Sequence, residues 1–322
     1  MNPKYSIVTP MFNSFNLMEQ YFESLNNQTY KNFEVIIVDD CSTDGSYDEV
    51  CKYAKKSPLT IYIYKSEKNM GPGNARNIGM NAARGEWITF IDNDDWIDTD
   101  MIEKINAVIE REKTNCVIYD YYITNGNKKK MARSMYSAER GFVPLNKCIS
   151  DVRNHTIGKV YRLDKLRKHN ILYPQQRRCE DVAFVCRAVD ACESVYYMNE
   201  PMYYYYQRST SLSNNKQLDE TDMIKAFDIL ENTLGDKYPE ELKEKSVPDL
   251  LYGTLLMMCK AGKSNSEIRT YIKKYEKKYP NWYQCQSVKN LGKVKKLFFI
   301  AVRLKKITIM KQFAYIHSKL LG

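Results

Sequence analysis

The sequence is poor in histidine, and its cysteines are not arranged in pairs. Only three of its 322 residues are histidines, so a histidine-rich metal site or a Ser–His–Asp hydrolase has few residues available. The nine cysteines are an odd number, and no two of them have C-x-x-C spacing. We therefore expect free thiols in a reducing compartment rather than a disulfide framework or a zinc ribbon.

Long hydrophobic runs are also missing. No run approaches the roughly 18 apolar residues of a membrane span. The first ten residues, MNPKYSIVTP, have no charged start followed by a long apolar stretch, so we expect no signal peptide. With 43% hydrophobic residues the chain can still bury a substantial core, as one large domain or two ordinary ones. We expect a cytoplasmic globular protein.

Acidic residues are absent between residues 286 and 322. This segment has nine lysines and arginines, whereas residues 1–285 have 40 basic and 39 acidic residues. The segment therefore carries almost all of the net charge of +10. Nucleic-acid binding is disfavoured, because the rest of the chain has no basic excess and the segment has few aromatic residues for base stacking.

Strand and helix patterns alternate over the first 120 residues. Apolar runs predict strands over 5–10, 33–40, 59–64, 86–91 and 116–120. Helical spacing between them predicts helices over 14–28, 46–56, 71–85 and 99–112, and Ser14 is a candidate cap of the first helix. Such alternation is typical of a Rossmann-like α/β fold with a mainly parallel central sheet flanked by helices.

The pattern changes after residue 120. We predict a polar turn over 125–130, a strand followed by a helix within 156–174, and a helix over 180–192. The tyrosine-rich segment 194–208 predicts two strands around a turn at Pro201. From about residue 214 to the end we predict helices only.

Two acidic clusters follow predicted strands: Asp39 and Asp40 after the second, and Asp92, Asp94 and Asp95 after the fourth. In a parallel sheet both clusters lie at the edge where ligands bind. Like charges this close cost energy unless a cation or donor groups compensate them. Carboxylate oxygens suit Mg²⁺ or Mn²⁺ bound together with phosphates. The alternative is structural, because single aspartates often cap helices or start turns.

Arg76 lies between glycines in GPGNARNIG, where the backbone can approach a ligand closely. Arginine is a good partner for a phosphate or a carboxylate. The alternatives for Arg76 are a solvated helix face or an ion pair with Asp40 or Asp92.

Five stretches, SIVTPMFN, VIIVDDCSTDGS, GPGNARNIG, ITFIDNDDW and CEDVAF, occur in the order and approximate spacing of glycosyltransferase family 2. The chain resembles this family over roughly residues 5–213. The resemblance implies an inverting enzyme of the GT-A fold that uses a nucleotide sugar and a divalent metal, Mn²⁺ or Mg²⁺. Residues 1–213 would form the catalytic domain, with a nucleotide-binding half (1–120) and an acceptor-binding half (121–213). A helical C-terminal region, 214–322, would follow.

The resemblance also implies roles for residues at the donor site. Thr9 and Pro10 would line the base pocket. Asp40 would accept a hydrogen bond from the imide N–H of uracil or thymine, which favours a UDP-sugar or dTDP-sugar over a CDP-sugar. Asp92 and Asp94 match the Asp-x-Asp pair, with Asp92 near the ribose or a metal-bound water and Asp94 on the metal.

Further roles follow from the same resemblance. Arg76 would lie near the nucleotide, and Arg208 would help to neutralise the leaving diphosphate, with Lys159 as a weaker candidate. Asp181 would be the general base that takes the proton of the acceptor hydroxyl. Glu180 would bind acceptor or sugar hydroxyls. Without the upstream motifs, the pair of acids would be read as ordinary charges at a helix N-terminus.

The acceptor implied by the resemblance is a glycan or a lipid-linked glycan in bacterial surface-polysaccharide synthesis. The basic tail, residues 289–311, carries an apolar face at helical spacing, which we assign to Leu291, Val294, Phe298 and Val302. This tail is either an ordinary helix packed on the body or a peripheral attachment to anionic lipid at the inner face of the membrane. The sequence leaves the oligomeric state open.

Other α/β proteins with acids at strand ends fit less well. A receiver domain has a lysine after its fifth strand, whereas tyrosines follow VIYD here. A phosphotransferase with an Asp-x-Asp nucleophile would place it after the first strand, which ends in Thr-Pro, and no P-loop or dinucleotide fingerprint is present. The remaining alternative is a non-catalytic nucleotide-binding or scaffolding protein with the same fold.

Overall fold

The computed structural model of this protein describes residues 2–176, 178–208 and 220–321. The chain divides into two compact units, Met1–Ser209 and Thr210–Gly322. The domain boundary that we predicted between residues 213 and 214 lies outside the described residues.

The first unit is built on one ten-stranded sheet. Its strands lie in the order β3-β2-β1-β4-β9-β6-β10-β5, with β7 paired to β6 and β8 paired to β10. They are β1 (Tyr5–Met11), β2 (Phe33–Asp39), β3 (Ile61–Lys65), β4 (Trp87–Phe90), β5 (Trp96–Ile97), β6 (Cys116–Thr124), β7 (Lys129–Ala132), β8 (Gly141–Phe142), β9 (Lys159–Arg162) and β10 (Val195–Tyr206).

The sheet is parallel in one half and mixed in the other. Strands β3, β2, β1 and β4 pair in parallel, as the alternating pattern predicted. Strand β9 is antiparallel to both β4 and β6, and β5, β7 and β8 also pair in antiparallel fashion. The parallel arrangement that we expected therefore holds for the half that contains Asp40 and Asp92 and for the pair β6–β10, whereas the other pairs of the second half are antiparallel.

Helices follow the strands of the first unit. They are α1 (Glu19–Asn26), α2 (Ser46–Lys56), α3 (Pro72–Ala82), α4 (Met101–Glu112), α5 (Leu145–Asp151), α6 (Leu163–Lys168) and α7 (Glu180–Cys192). Every residue of β1 and β2 is buried, which explains why these strands read as continuous apolar runs. Tyr21 and Leu25 of α1 pack in the same core as Ile7 and Val35.

Two sequence-based boundaries are wrong. The helix predicted over 14–28 is a short 3₁₀ turn, Phe15–Leu17, followed by α1, and the Ser14 side chain caps neither. The Ser14 hydroxyl instead accepts a hydrogen bond from the amide of Asn93. The two strands predicted around Pro201 are one strand, β10, whose parallel register with β6 shifts on both sides of Pro201. Proline has no N–H for the ladder, so it marks an irregularity rather than a reversal of the chain.

The described part of the second unit is helical, as predicted. It contains α8 (Glu220–Leu234), α9 (Pro239–Ser246), a π-helical segment (Val247–Gly253), α10 (Thr254–Lys260), α11 (Asn265–Lys278), a 3₁₀ turn (Trp282–Gln284), α12 (Gln286–Lys289), α13 (Lys293–Arg303) and α14 (Ile307–Leu321). Among the residues described, no helix has the length and apolar character needed to span a membrane.

Part of the apolar face that we assigned to the basic tail packs inside the protein. Phe298 and Val302 are buried inside the helical unit, and Phe298 packs edge-to-face on Tyr252. The tail is not one continuous helix, because α13 ends at Arg303 and α14 begins at Ile307. Lys305, between them, has a positive φ of 53°.

The approach of α3 to β1 depends on Gly79. A Cβ atom at position 79 would lie 2.3 Å from Cγ1 of Val8, a fully buried side chain of β1. We expect Gly79→Ala to lower the free energy of unfolding by about 1–3 kcal/mol, because the overlap outweighs the gain of about 1 kcal/mol in helix propensity. Urea unfolding measures this difference.

The control is Asn81→Ala, which also places an alanine in α3 but adds no atom, at an exposed position. It should leave stability unchanged or slightly higher. Equal stability of the Gly79→Ala protein and the parent would contradict the close contact between α3 and β1.

Candidate active site

Asp40 lies at the carboxyl end of β2 and holds the loop that precedes α3. Its two carboxylate oxygens accept hydrogen bonds from the backbone N–H groups of Met70, at 3.1 Å, and Gly71, at 2.7 Å. The side chain is buried. A carboxylate has about four acceptor positions, so each oxygen of Asp40 can accept one further hydrogen bond.

Asp95 has a structural role in the turn that follows β4. It is fully buried, and its carboxylate accepts the hydroxyl of Tyr203, at 2.5 Å, and the N–H of Tyr206, at 2.8 Å. The Tyr203 hydroxyl in turn accepts the N–H of Asp92, at 3.1 Å. Burial, together with Asp94 and Asp92, raises the pKa of Asp95 well above its usual range. Asp95 therefore fastens the Asp-x-Asp turn to β10.

Arg76 bridges two carboxylates that are far apart in the sequence. One guanidinium nitrogen lies 2.8 Å from Oδ1 of Asp92, and the other lies 3.2 Å from Oε1 of Glu180. The ion pair with Asp92 was one of the alternatives left open by the sequence, whereas the contact with Glu180 was not anticipated. Arg76 is buried, which opposes its charge, but Asp92 and Glu180 raise its pKa above the usual range.

Gly73 allows this bridge to form. A Cβ atom at position 73 would lie 2.9 Å from Cγ of Glu180 and 3.2 Å from Cβ of Tyr173. Only glycine lets the first turn of α3 come this close to the start of α7. In the sequence, the glycines of the GPG segment before Arg76 indicated that the backbone comes close to another group. In the structure that group is the Glu180 side chain rather than a ligand.

Asp181 follows Glu180 in the first turn of α7. Burial and the neighbouring Glu180 raise the pKa of Asp181 to about 7, against the opposite effects of Arg76 and the N–H of Val182. Val182 donates that hydrogen bond at 2.8 Å. Asp181 is therefore a carboxylate that gains and loses its proton near neutral pH.

Asp94 forms an ion pair with Arg208. Burial and the charge of Asp92 raise the pKa of Asp94, while Arg208 lowers it. Asp92 and Asp94 thus place two carboxylates side by side, with an arginine on each. Within residues 2–176, 178–208 and 220–321, no three His, Cys, Asp or Glu side chains form a group that could hold a metal by themselves. Mg²⁺ and Mn²⁺ take hard oxygen ligands, and sites with substrate phosphates need only one or two carboxylates, so the donor set fits such an ion.

Three other predicted site residues, Thr9, Pro10 and Lys159, are buried. Thr9 and Pro10 are buried in β1, and the Thr9 hydroxyl is hydrogen-bonded to that of Tyr21, at 2.6 Å. Lys159 is fully buried, and its ammonium group donates to the carbonyl oxygens of His155, at 2.7 Å, and Ile157, at 3.1 Å. The charge of Lys159 lowers the pKa of Asp181. Its hydrogen bonds, however, are made to the loop before β9.

In sequence, the chain is similar to known glycosyltransferases. The sequence model of the Glycosyl transferase family 2 matches residues 6–169. EpsH of Bacillus subtilis (strain 168) is 32% identical over 254 residues, which cover 74% of this chain and 73% of that protein. The poly(ribitol-phosphate) beta-N-acetylglucosaminyltransferase TarS of Staphylococcus aureus (strain MW2) is 27% identical over 250 residues, covering 74% of this chain and 43% of TarS.

Solved structures show the same fold. The crystal structure of S. aureus TarS 1–349 in complex with UDP-GlcNAc has a TM-score of 0.72 and 21% identity, and the match covers 98% of this chain and 92% of that one. The mannosyltransferase PcManGT from Pyrobaculum calidifontis, in complex with GDP-Man and Mn²⁺, has a TM-score of 0.52 and 13% identity over 98% of this chain and 87% of its own.

The bridge by Arg76 leads to a stability prediction. Arg76→Met should lower the free energy of unfolding by about 3–5 kcal/mol, the usual loss when one partner of a buried ion pair is removed. Adding Glu180→Gln should restore part of this loss, because a neutral amide is easier to bury than an unpaired carboxylate. Urea unfolding of the two single variants and the double variant measures the coupling.

Arg111→Met is the matched control. Arg111 is exposed and pairs with its neighbour Glu112, so its loss should change stability little. If Arg76→Met were no more destabilising than Arg111→Met, the guanidinium would not be needed to compensate the two acids.

Proposed function

Because the chain belongs to glycosyltransferase family 2 and is a glycosyltransferase, we propose that it transfers a sugar from a nucleotide diphosphate, with inversion, to a hydroxyl of a glycan or lipid-linked acceptor. The proposal rests mainly on the bridge that Arg76 forms between two carboxylates. Arg76 joins Asp92, at the strand end where donors bind in such sheets, to Glu180, the neighbour of Asp181. One cluster thus contains carboxylates suited to a donor and a carboxylate suited to a general base.

The donor in this proposal is a UDP-sugar. Asp40 is buried and retains acceptor capacity after binding the N–H groups of Met70 and Gly71. It would accept the imide N–H of uracil, whereas the corresponding ring nitrogen of cytosine is itself an acceptor. Pro10 and the backbone at Thr9 would lie against the base. The crystal structure of TarS with UDP-GlcNAc, a protein of the same fold, supports this donor class.

The same proposal assigns a divalent ion to the Asp-x-Asp pair. Asp94 would bind the ion directly, and Asp92 would bind a metal-bound water or the ribose. When bound, Mn²⁺ or Mg²⁺ supplies positive charge that stabilises the diphosphate as it leaves. Arg208 pairs with Asp94, and it would pair with the diphosphate when Asp94 binds a metal. The complex of PcManGT with Mn²⁺ supports a divalent ion in this fold.

Asp181 would act as the general base. Inversion requires the acceptor oxygen to approach the anomeric carbon from the face opposite the diphosphate. Asp181 would take the hydroxyl proton as the new C–O bond forms and the bond to the diphosphate breaks. A pKa of about 7 suits this task, because such a base is ionised at neutral pH and still binds a proton well. Glu180, oriented by Arg76, would bind acceptor or sugar hydroxyls.

The relatives support a class of acceptor but no particular acceptor molecule. TarS is named as a poly(ribitol-phosphate) glycosyltransferase, which supports a bacterial surface polysaccharide or its precursor as the acceptor here.

A thermal-shift panel of UDP-, dTDP-, CDP- and GDP-sugars with Mn²⁺ tests the donor. Stabilisation by UDP-sugars, with none by CDP-sugars, is expected. Stabilisation by CDP-sugars or GDP-sugars alone would contradict the role of Asp40.

Replacing the proposed metal ligand should make UDP binding independent of metal. Asp94→Ala should weaken calorimetric binding of UDP in Mn²⁺ by at least about tenfold, since even indirect metal partners matter by about 10–100-fold. Without metal, the variant should bind UDP as well as the parent or better, because a carboxylate that repels phosphate is gone.

The control is Asp100→Ala, which removes a carboxylate of the next turn that pairs with Lys104. It should keep the parent's response to Mn²⁺. Tight Mn²⁺-dependent binding of UDP by Asp94→Ala would rule out this assignment.

The pH dependence of transfer should follow Asp181. Because its pKa is raised to about 7, the base is protonated below that pH. The value of kcat/KM should then fall about tenfold per pH unit below 7 and level off above it. Asp181→Asn should reduce the rate about 10²- to 10⁴-fold and remove this dependence. Initial rates from pH 5 to 9 provide the measurement.

Asp190→Asn makes the same exchange near the other end of α7 and should keep both the rate and the pH profile. If Asp181→Asn retained the parent's rate, the base would be Glu180 or another group.

A further inference from the structure

Exposed apolar side chains are concentrated in the last two helices. Of the twelve large hydrophobic side chains exposed among the described residues, seven lie between residues 294 and 316. Four of them belong to α13 and the residue after it, namely Val294 (67% exposed), Leu297 (63%), Ile300 (52%) and Leu304 (60%). Leaving such side chains in water costs free energy, so a cluster of them marks an interaction surface.

The four residues form one stripe, which we call the α13 stripe. Leu297, Ile300 and Leu304 are three and four residues apart and therefore share a helix face, with Val294 at its edge. The opposite face of α13 is already used, because Phe298, Phe299 and Val302 are buried in the helical unit. Packing inside the unit therefore does not account for the stripe.

Positive charge accompanies the α13 stripe. Lys293 and Lys296 are exposed and lie one turn before Leu297 and Ile300, respectively. Within the described part of the chain, neither lysine has an ion-pair partner, and no acidic residue occurs between 286 and 322. Other cations of the segment are engaged, since Arg303 stacks on Tyr283 and Lys305 pairs with Glu276.

From this combination we propose that the α13 stripe docks on an anionic lipid surface, with its apolar side chains among the acyl chains and Lys293 and Lys296 at the headgroups. An exposed apolar face with basic residues beside it is the signature of a helix that lies in a membrane interface. A second copy of the chain fits less well, because a two-fold contact between identical stripes would set lysines against lysines. The proposal does not depend on the donor, the metal or the base.

Vesicle co-sedimentation with the full chain tests the proposal. The parent should pellet with vesicles of equal parts phosphatidylcholine and phosphatidylglycerol at low salt. It should pellet poorly with phosphatidylcholine alone and be released from anionic vesicles at high salt. Equal pelleting with both lipids, or no pelleting with either, would overturn the proposal.

Two pairs of charge variants separate the stripe from overall charge. Lys293→Glu with Lys296→Glu should weaken binding at least about thirtyfold, since each basic residue near an anionic surface contributes roughly fivefold. Lys273→Glu with Lys274→Glu makes the same change of net charge at exposed positions of α11 and should leave binding nearly unchanged. Equal weakening by both pairs would mean that only net charge matters, and the proposal would be wrong.

An uncharged variant tests the apolar part. Leu297→Gln with Ile300→Gln keeps every charge and, because both residues are exposed, should unfold at the parent's temperature. It should nevertheless lose most vesicle binding. Unchanged binding would show that the stripe does not enter the lipid. If sedimentation velocity showed that the parent self-associates and this variant does not, a second copy would cover the stripe and the lipid proposal would fall.

Discussion

The buried guanidinium of Arg76 is the contact on which the candidate site depends. Burying a charge costs several kcal/mol unless it is well paired. Here Asp92 and Glu180, from opposite halves of the first unit, compensate Arg76 together. Because Glu180 is held in this way, the next residue, Asp181, lies beside a fixed negative charge in a poorly solvated place, and its pKa rises to about 7. One ion-pair network thus connects the strand-end carboxylates to the carboxylate with the altered pKa.

Neighbouring aspartates in the turn after β4 have different environments, and hence different capabilities. Asp95 is closed off from water and hydrogen-bonded to Tyr203 and Tyr206, so it stabilises the turn. Asp94 pairs with Arg208, and burial and Asp92 oppose its negative charge. The hydroxyl of Tyr203 links the two functions of the turn, since it also accepts the N–H of Asp92. Asp95 thereby positions Asp92 and Asp94, the two carboxylates that could bind a ligand.

Much of the fold of the first unit could be predicted from local patterns. The predicted helix over 46–56 is identical to α2. The strands β1 to β4 coincide approximately with the apolar runs that predicted them. Errors occurred where distant contacts override local preference. The Ser14 hydroxyl binds the amide of Asn93 instead of capping a helix. Pro201 lies within a single strand, β10, that pairs with β6 on both sides of it. In the second half of the sheet, β9 pairs in antiparallel fashion. Register with a distant strand cannot be read from a local pattern.

The sequence by itself determined which residues could form the site: the acids at two strand ends, the glycines around Arg76 and the acidic start of α7. It determined this because residue type and periodicity specify donors, charges and turns locally. Only the tertiary structure decided that Arg76 pairs with Glu180 as well as Asp92, and which face of α13 remains exposed. Both outcomes depend on which surfaces are buried against distant segments. The free energies of ion pairs and apolar side chains are set by that burial.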